Sequence, residues 1–91
     1  FNISIIKSDV FLYIKKIKTE FDIIFADPPY NLDDTKYLTM INEIFKKNCL
    51  KSDGYLIIEH SSKKVFNKIQ YFNKSKKYGD STFSFFTKLN N

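Results

Sequence analysis

The alternation of apolar and polar positions along the chain predicts strands and helices that follow each other from the start. Residues 3–7 alternate as a strand does, and they end at Ser8-Asp9. Asp9 stands where the N-cap of a helix belongs, because its carboxylate can accept hydrogen bonds from the first turn. The apolar positions that then recur at helical spacing, with lysines facing outward, are Val10, Tyr13, Ile14 and Ile17.

The next segment predicts a second strand and a second helix. Residues 21–26 form a nearly continuous apolar run, which is typical of a strand covered on both faces in a parallel sheet. Two prolines end this strand at once. Any one of three residues can cap the helix that follows: Asp33, Asp34 or Thr35. The predicted apolar stripe of this helix consists of Leu38, Ile41, Ile44 and Phe45.

The second half of the chain predicts one more buried strand and then a hairpin. Ser52-Asp53-Gly54 is a predicted turn before the strand 55–59, and residues 61–68 are expected to form a short helix or a loop. Gly79-Asp80 separates two runs rich in aromatic residues, which is a hairpin signal. These two runs are residues 69–78 and 81–89. The order βαβαβ plus a hairpin indicates an α/β fold with a mixed sheet.

The composition narrows the function classes only in part. Hydrophobic residues make up 43% of the 91 residues, which is enough for a packed core, and no run approaches the roughly 20 apolar residues that span a bilayer. The net charge of +5 suits a polyanionic partner, although AT-rich coding also produces many lysines without arginine. A cytoplasmic protein without a membrane partner is the default expectation.

The single cysteine and the single histidine do not predict a metal site. Cys49 cannot form a disulfide within the chain, and no cluster of Cys and His completes a ligand set. We expect Cys49 to be a half-buried thiol near a helix end. We expect His60 to be a surface or cap residue rather than a catalyst.

Asp27-Pro28-Pro29-Tyr30 is the segment with the clearest chemistry, since ligands bind at the carboxyl ends of strands in open α/β sheets. Asp27 offers a carboxylate that accepts hydrogen bonds from N–H groups. The two prolines make the loop rigid and leave only carbonyl oxygens. Tyr30 can stack on a planar base. A tight turn without chemistry is the alternative for the same four residues.

These residues together form an acceptor cradle for an exocyclic amino group. The lone pair of such a nitrogen is delocalised into the ring, so the nitrogen is a poor nucleophile. Holding both hydrogens on one side would direct the lone pair toward an incoming methyl group. Positioning of this kind can contribute on the order of 7–11 kcal/mol to a reaction.

The chain resembles the carboxyl-terminal half of the bacterial 16S ribosomal RNA guanine-N2 methyltransferases, the RsmD-like group. More broadly, it is similar to class I amino-methyltransferases with an Asp/Asn-Pro-Pro-Tyr/Phe motif. The resemblance covers nearly the whole chain. The matching stretches are Ser8–Phe11, Phe21–Tyr30, Leu50–His60 and Lys77–Ser81.

The resemblance implies a Rossmann-like fold, S-adenosylmethionine as cofactor, and a set of site residues. Asp27 and the Pro28 carbonyl would hold the target amino group, with Pro29 stiffening the loop and Tyr30 stacking on the flipped base. Asp9 would bind the cofactor adenine, or act only as a helix cap, and Val10 would contact the ring. Asp27 would also face the cofactor, and Glu59 is given only a supporting role. Candidates for phosphate contacts, or for a plain solvated face, are Lys63, Lys64, Lys76 and Lys77.

By the same resemblance, residues 1–91 correspond to the carboxyl-terminal part of one methyltransferase domain. The Gly-rich cofactor loop and an acidic ribose-binding residue would lie upstream of Phe1, so the chain alone is not expected to methylate. In the complete fold two strands would separate the first two strands of this chain. We therefore expect Ile3–Lys7 to pair differently, to swap with another chain, or to be poorly ordered.

The predicted substrate is ribosomal RNA or the small ribosomal subunit. Two alternatives remain open. One is a DNA methyltransferase acting on adenine N6 or cytosine N4, which uses the same loop. The other is a methyltransferase-like RNA-binding subunit without activity.

Overall fold

The computed structural model describes residues 1–7, 10–28 and 32–89, with the side chains of residues 10 and 11 left aside. The order of elements is the predicted one, βαβαβ followed by a hairpin. The elements are β1 (Ile3–Ile6), α1 (Val10–Lys16), β2 (Phe21–Ala26), α2 (Asp34–Lys46), β3 (Leu50–Ser61), β4 (Phe72–Tyr78) and β5 (Ser81–Phe86).

The five strands form one mixed sheet in the order β1-β2-β3-β5-β4. The first three strands are parallel, whereas β5 is antiparallel to both β3 and β4. The prediction of an α/β fold with a mixed sheet is therefore confirmed.

β1 pairs directly with β2, with Ile3 opposite Ile23 and Ile6 opposite Ala26. Of the three outcomes expected for this strand, the structure shows pairing with a strand that would not be its neighbour in the complete fold. This pairing engages one edge of β1, which is an outer strand of the described sheet.

The two faces of the sheet differ in burial, and we call them the helix face and the open face. Side chains on the helix face are buried against the helices and the loop after β3. They include Ser4, Ile6, Ile24, Ala26, Leu56, Ile58, His60, Thr82, Ser84 and Phe86. Side chains on the open face are half-exposed or exposed. They include Ile3, Ile5, Ile23, Phe25, Tyr55, Ile57, Phe83 and Phe85. β2, which is predicted to be covered on both faces, is fully covered only on the helix face, and the predicted buried strand β3 shows the same difference.

α2 begins as predicted at a capping aspartate. The Asp33 carboxylate accepts hydrogen bonds from the Lys36 N–H at 2.9 Å and from the Thr35 hydroxyl at 2.7 Å. The predicted apolar stripe is wrong at one position, because Leu38 is 42% exposed. The helix instead buries Tyr37, Met40, Ile41, Ile44 and Phe45.

The predicted turn at Ser52-Asp53-Gly54 is instead the irregular start of β3. The register against β2 changes here, from Phe21 opposite Leu50 to Ile23 opposite Tyr55. A Cβ atom at Gly54 would lie 2.8 Å from the Asp22 carbonyl oxygen. The missing side chain therefore serves close packing of two strand backbones rather than a turn.

The hairpin has its predicted turn, with Gly79 at a positive φ of 61°. β4 starts later than predicted because Tyr71 also has a positive φ, of 73°, which bends the chain before this strand, and β5 ends at Phe86 rather than at Leu89. The Tyr71 ring stacks on Phe45 at a centroid distance of 4.3 Å. The preceding segment, residues 62–71, is a loop with turns and lies against the helix face.

Among the described residues, no helix has both the length and the apolar character needed to cross a membrane.

Candidate functional site

β1 and β2 end at the same edge of the sheet, and the pairing continues one residue beyond them. The Asp27 N–H donates to the Ile6 carbonyl at 2.8 Å. Strand alternation then directs Asp27 toward the open face and Pro28 toward the helix face. Burial agrees with this, since Asp27 is half-buried and Pro28 is buried. Proline has no N–H, so the ladder ends there.

The backbone of Asp27 is thus fixed by a hydrogen bond and followed by a buried proline, and its half-buried side chain can be reached by solvent and by a ligand. Pro29, Tyr30 and Asp9 lie outside the described residues, so their predicted roles stay predictions. Val10 begins α1, and its side chain is also outside the description.

Glu59 lies on the strand next to Asp27, one residue after the Ala26–Ile58 pair. It stands opposite Phe83 on the open face and is half-buried. Its position beside Asp27 is compatible with the supporting role that the sequence suggests.

The four predicted phosphate-binding lysines do not form one cluster. Lys64 forms an ion pair with Asp34 at 2.6 Å and lies 5.6 Å from the Tyr37 ring centroid. Lys63 is exposed in the loop after β3. Lys76 is opposite Phe83 on the open face, whereas Lys77 is opposite Thr82 on the helix face. Adjacent lysines on one strand therefore serve opposite surfaces.

His60 is buried, with 1% exposure, so the prediction of a surface or cap residue is wrong. Its Nδ1–H donates to the Ser61 carbonyl at 2.9 Å, because a carbonyl can only accept. Burial lowers the pKa of His60, so the ring is neutral near pH 7. Nε2 is then an acceptor, and the Ser84 hydroxyl donates to it at 2.7 Å.

A second series of hydrogen-bonded hydroxyl groups lies beside His60 and Ser84. The Ser62 hydroxyl donates to the Gly79 carbonyl at 3.1 Å. Its only hydrogen is thereby used, so the Thr82 hydroxyl donates to the Ser62 oxygen at 2.7 Å. Both hydrogen-bonded series border a cavity of about 170 Å³ between β3, β5, β4 and the loop after β3.

This cavity was not predicted from the sequence, because the prediction of β5 rested on its aromatic positions, which lie on the other face. The available signal was the polar set at every second position, Thr82 and Ser84, which a half-buried strand does not usually direct inward.

Cys49 is buried rather than half-buried, with 1% exposure, and burial raises the pKa of its thiol. A neutral, buried thiol is a poor nucleophile and a poor metal ligand. Within the described ranges, no group of three His, Cys, Asp or Glu side chains could hold a metal ion.

The fold resembles several solved structures over most of this chain. A conserved hypothetical protein from Streptococcus pyogenes has a TM-score of 0.71 at 23% identity and matches 88% of this chain and 51% of its own length. A candidate methylase from Haemophilus influenzae has a TM-score of 0.62 at 20% identity, with coverage of 86% and 50%. A candidate methyltransferase from Escherichia coli has a TM-score of 0.59 at 16% identity, with coverage of 82% and 41%.

The chain thus spans about half the length of the solved structures that it matches. The shared fold is a Rossmann-like α/β fold, which is also found in structures described as methyltransferases. Residues 2–87 match the family described as conserved hypothetical protein 95. The chain belongs to this family, the RsmD-like methyltransferases. None of the curated proteins matches the sequence significantly.

Proposed function

We propose that this protein transfers a methyl group from S-adenosylmethionine to N2 of a guanine in small-subunit ribosomal RNA, in the cytoplasm. One observation carries the proposal: in a chain of this family, Asp27 presents a half-exposed carboxylate at the carboxyl edge of the sheet, with Pro28 buried behind it. The proposed activity is that of the whole protein, because this chain spans only about half the length of the solved structures that it matches.

Asp27 accepts one N–H of the guanine amino group, and the Pro28 carbonyl accepts the other. With both hydrogens held on one side, the nitrogen lone pair points toward the methyl donor. No strong base is needed before transfer, because the nitrogen becomes acidic only after it is methylated. Orientation therefore supplies most of the rate enhancement.

Asp27, whose side chain is described, suits the proposed cofactor in charge. The cofactor supplies an electrophilic methyl group on a positively charged sulfur, and a carboxylate at the same edge favours a cation nearby. The backbone N–H of Asp27 donates a hydrogen bond to the Ile6 carbonyl, which holds the residue at this edge. Asp9 and Val10 bind the adenine end in this proposal, and Tyr30 stacks on the base.

The proposal is tested by comparing ribosomal RNA nucleosides from cells with and without the gene by mass spectrometry. We expect one N2-methylguanosine of the small subunit to be lost. Its persistence, together with loss of a methylated base from DNA, would support the alternative DNA methyltransferase. Unchanged nucleosides in both would indicate a binding subunit without activity.

The Asp27→Ala variant tests the cradle in the same cells. Without the acceptor carboxylate the amino group is no longer oriented, so methylation should fall on the order of 100-fold or more. Asp53→Ala is the matched control, since Asp53 is an exposed aspartate at the start of β3, away from the carboxyl edge. Restoration of N2-methylguanosine by Asp27→Ala as fully as by Asp53→Ala would contradict the mechanism.

A further inference from the structure

Two carboxylates stand side by side where the open face meets the carboxyl edge of the sheet. The pairing of β2 with β3 ends with Ala26 opposite Ile58, so the next residues in register are Asp27 and Glu59. Both belong to the open face by strand alternation, and both are half-buried. Neighbouring strands lie roughly 4.8 Å apart. A ligand that touches the Asp27 carboxylate therefore comes within reach of Glu59.

The two carboxylates have no cation of their own in the described part of the chain. Neither makes a hydrogen bond or an ion pair with another described residue. On the β5 side of Glu59 the opposite residue is Phe83, and Lys76 follows only on the strand beyond it. Like charges on neighbouring strands destabilise a sheet. A ligand that brings several N–H donors to this place relieves the repulsion.

Aromatic packing determines where such a ligand can lie. The rings of Phe25 and Phe83 are 5.9 Å apart although their strands lie on either side of β3, so the two rings meet above β3 on the open face. Phe83 also contacts the Tyr78 ring edge-on at 5.7 Å. This aromatic group covers the open face on the amino-terminal side of Glu59. The space beside the Glu59 side chain therefore lies toward the carboxyl edge, where Asp27 stands.

The nucleobases differ in what they present next to their amino group. In guanine the amino group at position 2 has the N1–H donor on one side, whereas in adenine and cytosine the ring nitrogen next to the amino group carries a lone pair and no hydrogen. An ionised carboxylate can only accept hydrogen bonds. It therefore binds the N1–H of guanine and repels the ring nitrogen of the other two bases. Asp27 and the Pro28 carbonyl make no such distinction, because they accept hydrogen bonds from any exocyclic amino group.

We propose that Glu59 selects guanine as the target base, by accepting the hydrogen bond of the guanine N1–H while Asp27 and the Pro28 carbonyl hold the amino group. The inference rests on the proposed function for the reaction. It adds the residue that distinguishes guanine from adenine and cytosine, and it fixes which side of the guanine amino group faces β3.

The first experiment uses the whole protein and a short RNA that carries either guanine or 2-aminopurine at the target position. 2-Aminopurine keeps the amino group at position 2, but its N1 has a lone pair in place of the hydrogen. The parent protein should methylate guanine at least about tenfold faster, because the N1–H bond to a charged acceptor is lost and a repulsion takes its place. Equal rates on the two bases would overturn the inference.

The second experiment measures the same ratio of rates in Glu59→Gln. The amide has the size of the carboxylate but can donate to the bare N1, so the ratio should move toward 2-aminopurine by about tenfold or more. A general loss of folding would lower both rates together and leave their ratio unchanged. An unchanged ratio in Glu59→Gln would therefore overturn the inference.

Two further variants serve as controls for this ratio. Glu20→Gln makes the same chemical change at an exposed residue just before β2, at the opposite edge of the sheet, and should leave the ratio at the parent value. Glu59→Asp keeps a carboxylate and should keep the preference for guanine. A shift toward 2-aminopurine in either control as large as in Glu59→Gln would contradict selection by the Glu59 charge.

The proposed function and this inference fail in different ways. A parent protein that methylates neither base would overturn the proposed function, and the inference with it. A parent protein that methylates both bases equally, with Asp27→Ala inactive on both, would overturn the inference alone.

Discussion

At Gly54 the backbone of β3 lies directly against carbonyl oxygens of β2, and this contact determines which residue the position tolerates. An added Cβ atom would lie 2.8 Å from the Asp22 oxygen and 3.1 Å from the oxygens of Lys51 and Phe21. All three oxygens belong to backbone, so none can move away without disturbing the strand pairing.

Gly54→Ala should therefore destabilise the protein by about 1–3 kcal/mol in urea unfolding. Ser52→Ala, at an exposed position on the same strand, is the control and should change stability by less than about 0.5 kcal/mol. If Gly54→Ala instead stabilised the protein, as Gly→Ala does where space is free, the close approach would be wrong.

His60 illustrates what sequence reasoning could and could not find at single positions. The Asp27-Pro28 pair is recognisable from its neighbours in sequence, and the structure places it at the predicted edge. The Ser84 partner of His60 lies 24 residues away on the next strand, so it follows only from the exact β3–β5 register. A lone histidine in the sequence carries no sign of that pairing.

At the scale of single elements, α2 depends on the cap at its start. The Thr35 hydroxyl and the Lys36 N–H both donate to Asp33 and hold the pKa of its carboxyl below the usual value. Asp33→Ala removes both bonds and should lower the melting temperature by a few degrees, as followed by circular dichroism.

Asp34→Ala is the control for the cap. It removes an ion pair in which Asp34 is 79% exposed, so it should change the melting temperature very little. Because the pKa of Asp33 is lowered by folding, its stabilising effect is complete above the ordinary value of 3.8 and is lost as the pH falls through the folded value. Lowering the pH should therefore reduce the difference in melting temperature between Asp33→Ala and the parent protein. A difference that stayed constant into acid would contradict the role of the charged cap.

The elements themselves were largely predictable from periodicity. β2 has its predicted bounds, and the hairpin turn is where Gly79 placed it. The error at α2 has a physical cause, since Tyr37 has a polar hydroxyl but buries its ring, whereas the wholly apolar Leu38 lies one residue outside the buried stripe. The lengths of β3 and β4 depend on close packing at Gly54 and on the bend at Tyr71, which periodicity does not report.

For the whole molecule, the main feature is the difference between the helix face and the open face. Ile5 is 62% exposed on the open face, whereas its neighbour Ile6 is 3% exposed on the helix face. A row of exposed or half-exposed apolar side chains on one face is a surface for weak self-association and for apolar dyes.

Ile5→Thr should therefore lower the fluorescence of a bound apolar dye such as ANS and change the unfolding free energy by less than about 0.5 kcal/mol. Ile6→Thr, the same change one residue later, should destabilise the protein by about 2 kcal/mol or more because it places a hydroxyl in the core. Equal effects of the two substitutions would contradict the assignment of the faces.

The two edges of the sheet have a consequence for how copies of this protein meet. β1 and β4 are the outer strands, and β4 bears Lys74, Lys76 and Lys77 along its length. Two β4 edges brought together would bring two rows of like charge within a few ångströms, which discourages strand addition. At high ionic strength, where the screening length falls to roughly 3 Å, that barrier weakens. Concentrated salt would therefore favour fibrous aggregation at this edge, whereas dilute buffer would keep the copies apart.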